Sequence, residues 1–308
     1  MNQIALPPRQ PLPDAQAWRG EMSEVGLDWV GMQGIALPLE LAGKPLQAKV
    51  DAGINLRPSA AGARGIHMSR LYLALDELTQ GELTPRRIEN TLRAFLASQP
   101  EHSDSASLRI GGELLLSRSA MLSPQRGWKA YPLRIDAALT HRLALSLQIG
   151  VPYSSTCPSS AALSRQLAQQ QFQFDFEQAA SVSPQQVLDW LAEHGMPATP
   201  HSQRSWAWVT VWQTDGGSAF NPVNLIDRIE HTLGTPLQTL VKRRDEQAFA
   251  LANGQNLMFC EDAARRLYQM LRSQCDVGAF SVRVEHQESL HAHNAVAELS
   301  WREGGDAA

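Results

Sequence analysis

The stretch VPYSSTCPSS, Val151–Ser160, is the part of the sequence around which the fold is predicted. It continues an alternating apolar run, Leu143–Ile149, and such alternation is typical of a half-buried β-strand. Because Pro158 lacks an amide hydrogen and restrains the residue before it, the chain is expected to turn there. The pattern therefore predicts that Cys157 is presented where a strand ends. A lone cysteine is more often a small buried apolar residue, and on this segment alone that alternative stays open.

The composition is that of an ordinary globular protein. Of the 308 residues 43% are hydrophobic and 19% are charged, and this length is sufficient for two cores or one large one. A net charge of -4 argues against a general nucleic-acid surface, which would need a basic domain. The start, MNQIALPPRQPLPD, has no apolar signal segment, and no run approaches the roughly 18–20 apolar residues that span a bilayer. These features predict a cytoplasmic protein that binds neither nucleic acid nor membrane.

The cysteine count agrees with that compartment. Cys157, Cys260 and Cys275 are an odd number, and they are scattered over the second half of the chain. Such an arrangement does not make a disulfide framework. Free thiols are therefore expected, as in a reducing compartment.

Hydrophobic periodicity divides the chain into an arm and two α+β modules. Residues 1–24 are rich in proline and polar residues, which predicts an extended arm without a core of its own. Residues 25–150 show two alternating segments, two segments of helical spacing and further extended segments, which predicts the order ββααββ. The segments of this first module are the strands Gly26–Leu41 and Gln47–Leu56, the helices from Met68 and over Thr84–Ser98, and the extended regions Leu108–Leu116 and Leu133–Ile149.

A second module with antiparallel strands and paired helices is predicted over residues 151–308. Its order is strand, helix, helix, strand, strand, and the strand ending near Ile149 is interpreted as shared between the modules. A glutamine-rich insert at about 161–199 contains one predicted helix, Pro184–His194. No residue-level repeat links the two modules. The other predicted segments are the strand Ser205–Thr214, the helices Pro222–Leu233 and Phe259–Arg272, and the strands Val277–Glu288 and Asn294–Trp301.

Four separated motifs carry residues of the types that bind metals. Thiolate, imidazole and carboxylate groups are the donors of a borderline-soft divalent metal site. Taken singly, each of these residues is more often structural or a solvated surface group. The four are Cys157, His201 in PHSQRS, Glu246 at the end of KRRDE in a predicted loop, and His291 in EHQESLHAHNA between the last two strands.

Six motifs together resemble the type IB GTP cyclohydrolases. The family has HMSR, CPCS, HNQRS, KRPDE, a VED-type helix start and ESIHNHDA, and the corresponding segments occur here in the same order across most of the chain. DAQ, Asp14–Gln16, also resembles the family's DVQ. The corresponding segments are GIHMSR at Gly65, TCPSS at Thr156, HSQRS at His201, KRRDE at Lys242, FCEDAARR at Phe259 and ESLHAHNA at Glu288.

The resemblance implies a tandem tunnelling fold, in which two ββααββ-like modules lie side by side and subunits assemble around a central tunnel. It implies a homotetramer with active sites between subunits and one divalent metal per site. The metal is left open among zinc, manganese and ferrous iron, because the donor set suits all three. The positions that match the family's metal-binding residues are Cys157, His201, Glu246 and His291.

The resemblance also implies the reaction, which is hydrolysis of GTP to formate and 7,8-dihydroneopterin triphosphate, the first step of tetrahydrofolate biosynthesis. Glu261 matches the carboxylate that anchors the guanine, and the alternative is a first-turn residue complementing the helix dipole. His201, His291 and His293 are candidates for moving protons, because imidazoles titrate near neutrality. Candidates for binding the triphosphate, with solvated surface charges as the alternative, are Arg70, Arg204, Lys242 and Arg243.

Departures from the family pattern leave other functions open. Ser159 replaces the second cysteine of CPCS, and the insert separates Cys157 from His201 by 44 positions. KRRDE, HSQRS and HAHNA also differ from their family counterparts beside proposed ligands. The alternatives are another tunnelling-fold enzyme acting on a purine or pterin, and a metal-binding paralogue without activity.

Overall fold

A computed structural model describes residues 24–58, 64–213, 221–273 and 277–303 of the chain. The predicted arm, apart from its last residue, lies outside these ranges, as do Cys275 and the last residue of the predicted strand Ser205–Thr214. The strands are β1 (Leu27–Leu41), β2 (Lys44–Leu56), β3 (Ala106–Ser119), β4 (Arg126–Leu139), β5 (Leu143–Thr156), β6 (Ser202–Gln213), β7 (Val277–His286) and β8 (Ala295–Arg302). The helices are α1 (Met68–Ala74), α2 (Pro85–Ser98), α3 (Pro158–Asp175), α4 (Pro184–His194), α5 (Pro222–Leu233), α6 (Arg243–Gln255) and α7 (Cys260–Arg272).

The eight strands form one antiparallel sheet, in which every strand pairs with its neighbour in sequence. One face of the sheet is packed by helices and carries the core. A row of apolar side chains crosses five strands on this face, because Leu133, Ile149, Val209, Val282 and Leu299 are successive cross-strand partners. Burying a side chain of this size contributes roughly 1.5–3 kcal/mol. The sheet and the helices on this one face give the predicted α+β fold.

The first half of the chain has the predicted ββααββ order. The β1–β2 hairpin turns at Ala42 and Gly43, which both have positive φ, 53° and 66°. A two-residue turn of this kind matches the twist of the flanking strands. Helix α2 begins where the Thr84 hydroxyl accepts the Arg87 amide at 3.2 Å, with Pro85 in the first turn. Local signals therefore account for both elements.

The predicted strand end near Ile149 is wrong. Instead of ending near Ile149, β5 continues to Thr156 and pairs with β4 on one side and β6 on the other. Pro152, which lacks an amide hydrogen, lies in this continuation, beyond the last β4–β5 pair of Leu133 with Ile149. The sheet is continuous from β4 to β5, and residue 150 lies inside β5. The division of the chain into modules at residue 150 therefore stays a prediction.

The second half contains one helix more than predicted between β6 and β7. Helix α6 includes the segment KRRDE, so Glu246 lies in the first turn of a helix and not in a loop. Its start is stabilised by the Asp245 carboxylate, which accepts the Lys242 amide at 2.9 Å. Of the residues of α6, Asp245 is the buried one, so the segment shows no apolar stripe from which a helix is predicted.

The glutamine-rich insert forms a pair of helices between β5 and β6. The predicted helix is confirmed as α4, and α3 precedes it. Trp190 is the centre of a small separate core. Its ring packs edge-on against Phe172 with the ring centroids 5.0 Å apart, and its Nε1 donates to Asp175 at 2.7 Å. The insert does not interrupt the β5–β6 ladder. Among the described residues, no helix is both long and apolar enough to cross a membrane.

Candidate active site

The ends of β5 and β6 bring Cys157 and His201 together. The last paired residues of the ladder are Thr156 and Ser202, which immediately precede Cys157 and follow His201. The Cys157 amide donates to the His201 carbonyl at 3.3 Å. The antiparallel pairing thus closes the 44-position separation created by the insert. We call this pair of strand ends the Cys157–His201 corner.

The thiol lies where a strand ends, as predicted, and its local role is that of a helix cap. Cys157 is the residue before α3, and its Sγ accepts the Ser160 amide at 3.5 Å. Pro158 occupies the first position of α3, where its missing amide hydrogen has no cost. Cys157 is half-buried, so the sulfur is held in place without being enclosed in the core.

His201 lies beside a carboxylate that the sequence interpretation missed. Its Nδ1 lies 3.7 Å from Glu288 Oε2, and the side chains are only 17% and 12% exposed. Among the described residues, no group donates a hydrogen bond to this buried Glu288 oxygen. A buried carboxylate oxygen is costly unless a cation or a donor faces it. Glu288 opens the motif ESLHAHNA, which was the signal in the sequence.

The other two predicted ligands lie on exposed segments. Glu246 is exposed in α6. His291 is exposed in the connection between β7 and β8, where its ring stacks on His293 with the ring centroids 5.0 Å apart. Within the described ranges, no three His, Cys, Asp or Glu side chains are grouped so that they could hold a metal ion. One chain therefore brings together Cys157 and His201, and convergence of all four ligands stays a prediction. The donor types at the corner, thiol, imidazole and an unpaired carboxylate oxygen, fit a borderline divalent metal.

Glu261 is an exposed, ionised carboxylate at the start of α7. Hydrogen bonds from its own backbone amide and from the Cys260 thiol, which lies 3.2 Å from Oε2, lower the pKa of Glu261. Burial raises the pKa of Cys260 to about 11, so the thiol keeps the proton that it donates. The helix start is capped by Asp262, whose carboxylate accepts the Phe259 amide at 3.0 Å. Capping therefore does not require Glu261, which is exposed while its Oε2 accepts from the Cys260 thiol.

The four candidate triphosphate-binding residues are all exposed but lie in three places. Arg204 lies on β6, three residues after His201. Lys242 and Arg243 lie at the start of α6. Arg70 lies on α1, where its guanidinium donates to the Ser98 carbonyl at 2.9 Å. The single chain thus places one of the four, Arg204, on the same strand end as the Cys157–His201 corner.

Asp245 fixes the start of α6 to the β3–β4 turn. Its buried carboxylate accepts the amides of Leu122 at 2.7 Å, Ser123 at 2.8 Å and Lys242 at 2.9 Å. Hydrogen bonding, first from Ser123 and then from Lys242 and Leu122, holds the pKa of Asp245 well below its usual range. This residue, which the sequence interpretation also missed, determines where Lys242, Arg243 and Glu246 are presented.

We expect Asp245→Asn to release the start of α6 at neutral pH. The amide nitrogen of the new side chain would meet backbone donors where an acceptor is needed. Because the folded-state pKa is depressed, the contribution of Asp245 to stability is fully present above the ordinary Asp pKa of about 3.9 and is lost as pH falls through the folded value. Hydrogen exchange of the Leu122, Ser123 and Lys242 amides should accelerate at pH 7. Equal exchange in Asp245→Asn and the exposed control Asp189→Asn would contradict this role.

Known structures identify the fold as the tunnelling fold. The chain resembles the crystal structure of uricase from Arthrobacter globiformis, with a TM-score of 0.51 and 6% identity over 92% of this chain and 96% of that one. It resembles a hyper-thermostable mutant of AgUricase to the same TM-score, with 7% identity over 92% and 94% of the two chains. At such identity the likeness concerns the fold alone, and it confirms the predicted fold class.

Sequence comparison defines the family. Residues 12–297 match the family model described as type I GTP cyclohydrolase FolE2. A curated relative from Serratia proteamaculans named GTP cyclohydrolase FolE2 is 81% identical over 100% of both chains. Relatives of the same name from Klebsiella pneumoniae and Pseudomonas putida are 56% and 53% identical over 94% of this chain and 98% and 96% of theirs. The chain therefore belongs to the type I GTP cyclohydrolase FolE2 family, as its six motifs predicted.

Proposed function

We propose that the protein is a metal-dependent GTP cyclohydrolase I, a hydrolase acting on a cyclic amidine, that converts GTP to formate and 7,8-dihydroneopterin triphosphate in the first step of tetrahydrofolate biosynthesis. Family membership supports the reaction. One structural observation carries the site: Cys157 and His201 lie side by side, and an unpaired buried oxygen of Glu288 lies next to the imidazole.

Cys157, His201, Glu246 and His291 would hold the metal, and zinc, manganese and ferrous iron all suit this donor set. When bound, the metal supplies an activated water, because coordination lowers the pKa of water from about 16 toward 7. The half-buried thiol and the largely buried imidazole keep their positions without the metal, since both are fixed by the β5–β6 ladder and the start of α3.

Glu261 would select the guanine base. The edge of guanine presents two parallel donors, N1–H and the 2-amino group, and a carboxylate offers two parallel acceptors. The depressed pKa of Glu261 keeps it ionised at neutral pH. Adenine lacks both donors on this edge, so the same carboxylate would discriminate against ATP.

Proton transfer would fall to the exposed imidazoles of the β7–β8 connection. Each C8–N bond that breaks leaves a nitrogen that must receive a proton, and each attacking water must lose one. An imidazole can both accept and donate a proton, and His293, stacked on His291, is the candidate of the two that is not a proposed metal ligand. The His291 and His293 rings are stacked, with their centroids 5.0 Å apart. The triphosphate would be bound by Arg204, Lys242 and Arg243. Arg70 would contribute once its guanidinium no longer donates to the Ser98 carbonyl.

The proposed assembly is a homotetramer whose active sites lie between subunits. Two proposed ligands, Glu246 and His291, are exposed, and within the described ranges no three His, Cys, Asp or Glu side chains are grouped so that they could hold a metal ion. The outer strands β1 and β8 also present unpaired backbone edges that a second copy would cover. Both observations support sites completed by a neighbouring subunit.

Mixing two inactive variants tests the shared site. We expect tetramers formed from Cys157→Ser and Glu261→Gln chains to regain part of the activity, because one of the interfaces then contains both intact residues. Cys157→Ser mixed with His201→Asn is the matched control, since both changes affect the same corner, and it should regain none. No recovery in verified mixed tetramers of the first pair would place the whole site within one chain.

Incubation of metal-depleted protein with GTP and Zn²⁺, Mn²⁺ or Fe²⁺ tests the reaction itself. We expect metal-dependent formate and a product that becomes fluorescent neopterin after oxidation. Metal binding without turnover of GTP would favour the paralogue without activity. Turnover of another purine or pterin, but not GTP, would favour the other tunnelling-fold enzyme.

A further inference from the structure

His201, whose side chain is 17% exposed, is the outer end of a series of side-chain hydrogen bonds that is otherwise buried. The series crosses from β6 to β5 and returns to β6 at Ser205, whose partner Tyr153 on β5 contacts His286 on β7. All members beyond His201 are buried, with exposures between 0 and 8%. The hydrogen bonds join His201 Nδ1 to Gln203 Oε1 at 2.8 Å, Gln203 Nε2 to Ser155 Oγ at 3.2 Å, and Ser155 Oγ to Ser205 Oγ at 2.7 Å. Tyr153 is the cross-strand partner of Ser205, and its Oη lies 2.8 Å from His286 Nε2.

Strand register places these groups in line. Ser155 is the cross-strand partner of Gln203, and Tyr153 and His286 are both partners of Ser205. Side chains two residues apart on a strand lie on the same face. The five buried groups therefore occupy one patch of the helix-covered face, where the core prevents Gln203 from adopting another rotamer without leaving buried groups unpaired.

The Gln203 amide sets the direction of the hydrogen bonds next to His201, because its nitrogen donates to Ser155 Oγ. Burial lowers the pKa of His286 to about 4 and raises that of Tyr153, so His286 is neutral and the phenol keeps its proton. The Tyr153 hydroxyl can then donate to His286 Nε2. Ser205 accepts from Ser155, and Ser155 accepts from the amide nitrogen of Gln203.

This direction leaves the carbonyl oxygen of Gln203 facing His201. A carbonyl oxygen only accepts, so the nitrogen facing it must carry the hydrogen. Glu288 Oε2, at 3.7 Å from the same nitrogen, lies beyond hydrogen-bonding distance and is left unpaired.

We propose that Gln203 is a positioning residue that holds His201 in the Nδ1–H tautomer and so leaves the lone pair of Nε2 available as a ligand. Outer-shell partners of this kind orient a metal-binding imidazole and fix its tautomer. A glutamine does so without adding a second buried charge beside Glu288. The consequence for metal binding rests on the proposed function, whereas the tautomer itself is a property of the metal-free chain.

Nitrogen NMR of metal-free protein labelled at histidine tests the tautomer. We expect Nδ1–H at His201 in the wild type and in Gln203→Glu, which keeps an acceptor, and loss of that tautomer in Gln203→Met. Ser155→Ala breaks the series one link further on and should give a partial loss, which provides a second variant if Gln203→Met folds poorly. Gln148→Met is the matched control, because Gln148 donates to Thr210 at 3.1 Å on the same two strands. The His201 nitrogen signals of Gln148→Met should match those of the wild type.

Titration with Zn²⁺ alone provides the second readout. We expect Gln203→Met to weaken Zn²⁺ binding by about 10- to 100-fold, while Gln148→Met leaves it unchanged. An unchanged His201 tautomer in Gln203→Met would overturn the inference, even if the wild type binds Zn²⁺. If the wild type has the expected tautomer but binds no Zn²⁺ through His201, the proposed metal site fails and the positioning role of Gln203 stands.

Discussion

Replacing Cys157 by serine should reduce turnover of GTP by at least about 100-fold while leaving the fold intact. A serine hydroxyl is a poor ligand for a borderline-soft metal. Changes to outer-shell partners already cost 10- to 100-fold in activity, so loss of a ligand should cost more. The fold should survive because Sγ caps α3 by accepting the Ser160 amide, and a serine oxygen is at least as good a cap.

Comparison with Cys157→Ala separates the two roles of this residue. Alanine removes both the ligand and the cap, so it should also lower the free energy of unfolding by about 0.5–2 kcal/mol. Metal content, turnover and denaturant unfolding would be measured for both variants. A serine variant that keeps full metal content and turnover would remove Cys157 from the metal site.

The second large effect is expected for Glu261→Gln, which should weaken GTP binding about tenfold or more while metal content stays unchanged. The glutamine replaces one acceptor by a donor, which would face a donor on the guanine edge. An unsatisfied group of this kind costs roughly 1–3 kcal/mol, and 1.4 kcal/mol corresponds to a factor of ten. Equilibrium binding of GTP to the metal-loaded variants measures the effect.

Asp262→Asn is the matched control for Glu261→Gln. Both changes remove one negative charge from the first turn of α7, so a mere helix-dipole effect would appear in both. Inosine triphosphate, which lacks the 2-amino group, should bind the wild type less tightly than GTP. Its affinity should also fall less than that of GTP in the Glu261→Gln variant. Wild-type affinity for GTP in Glu261→Gln would exclude this carboxylate from the site.

Local signals explain which elements could be predicted from the sequence. Strand alternation and the turn at Gly43 predicted the first hairpin, helices α4 and α5 have the predicted bounds, and α2 begins one residue later than predicted. Each of these helices begins with a polar cap followed by proline, at Thr84, Ser183 and Asn221. Such signals depend only on adjacent residues, so they are readable without knowing the fold.

The features that were missed depend on contacts between distant parts of the chain. Helix α6 is fixed by Asp245, which binds the amide of Ser123, 122 positions away. Glu288 becomes significant only because β7 brings it beside His201. Gln203 similarly gains its role from cross-strand pairing with Ser155. Residue types and motifs predicted the candidates for the site, but only the register of the sheet shows which of them meet.

The most direct test of the metal site is an anomalous-difference map from crystals of the zinc-loaded protein, measured at the zinc absorption edge. We predict one peak per site, with Cys157 Sγ and His201 Nε2 at about 2.0–2.3 Å and with Glu246 and His291 completing the coordination. A peak elsewhere, or a bound metal with any two of these four residues more than about 10 Å apart, would contradict the proposed metal site.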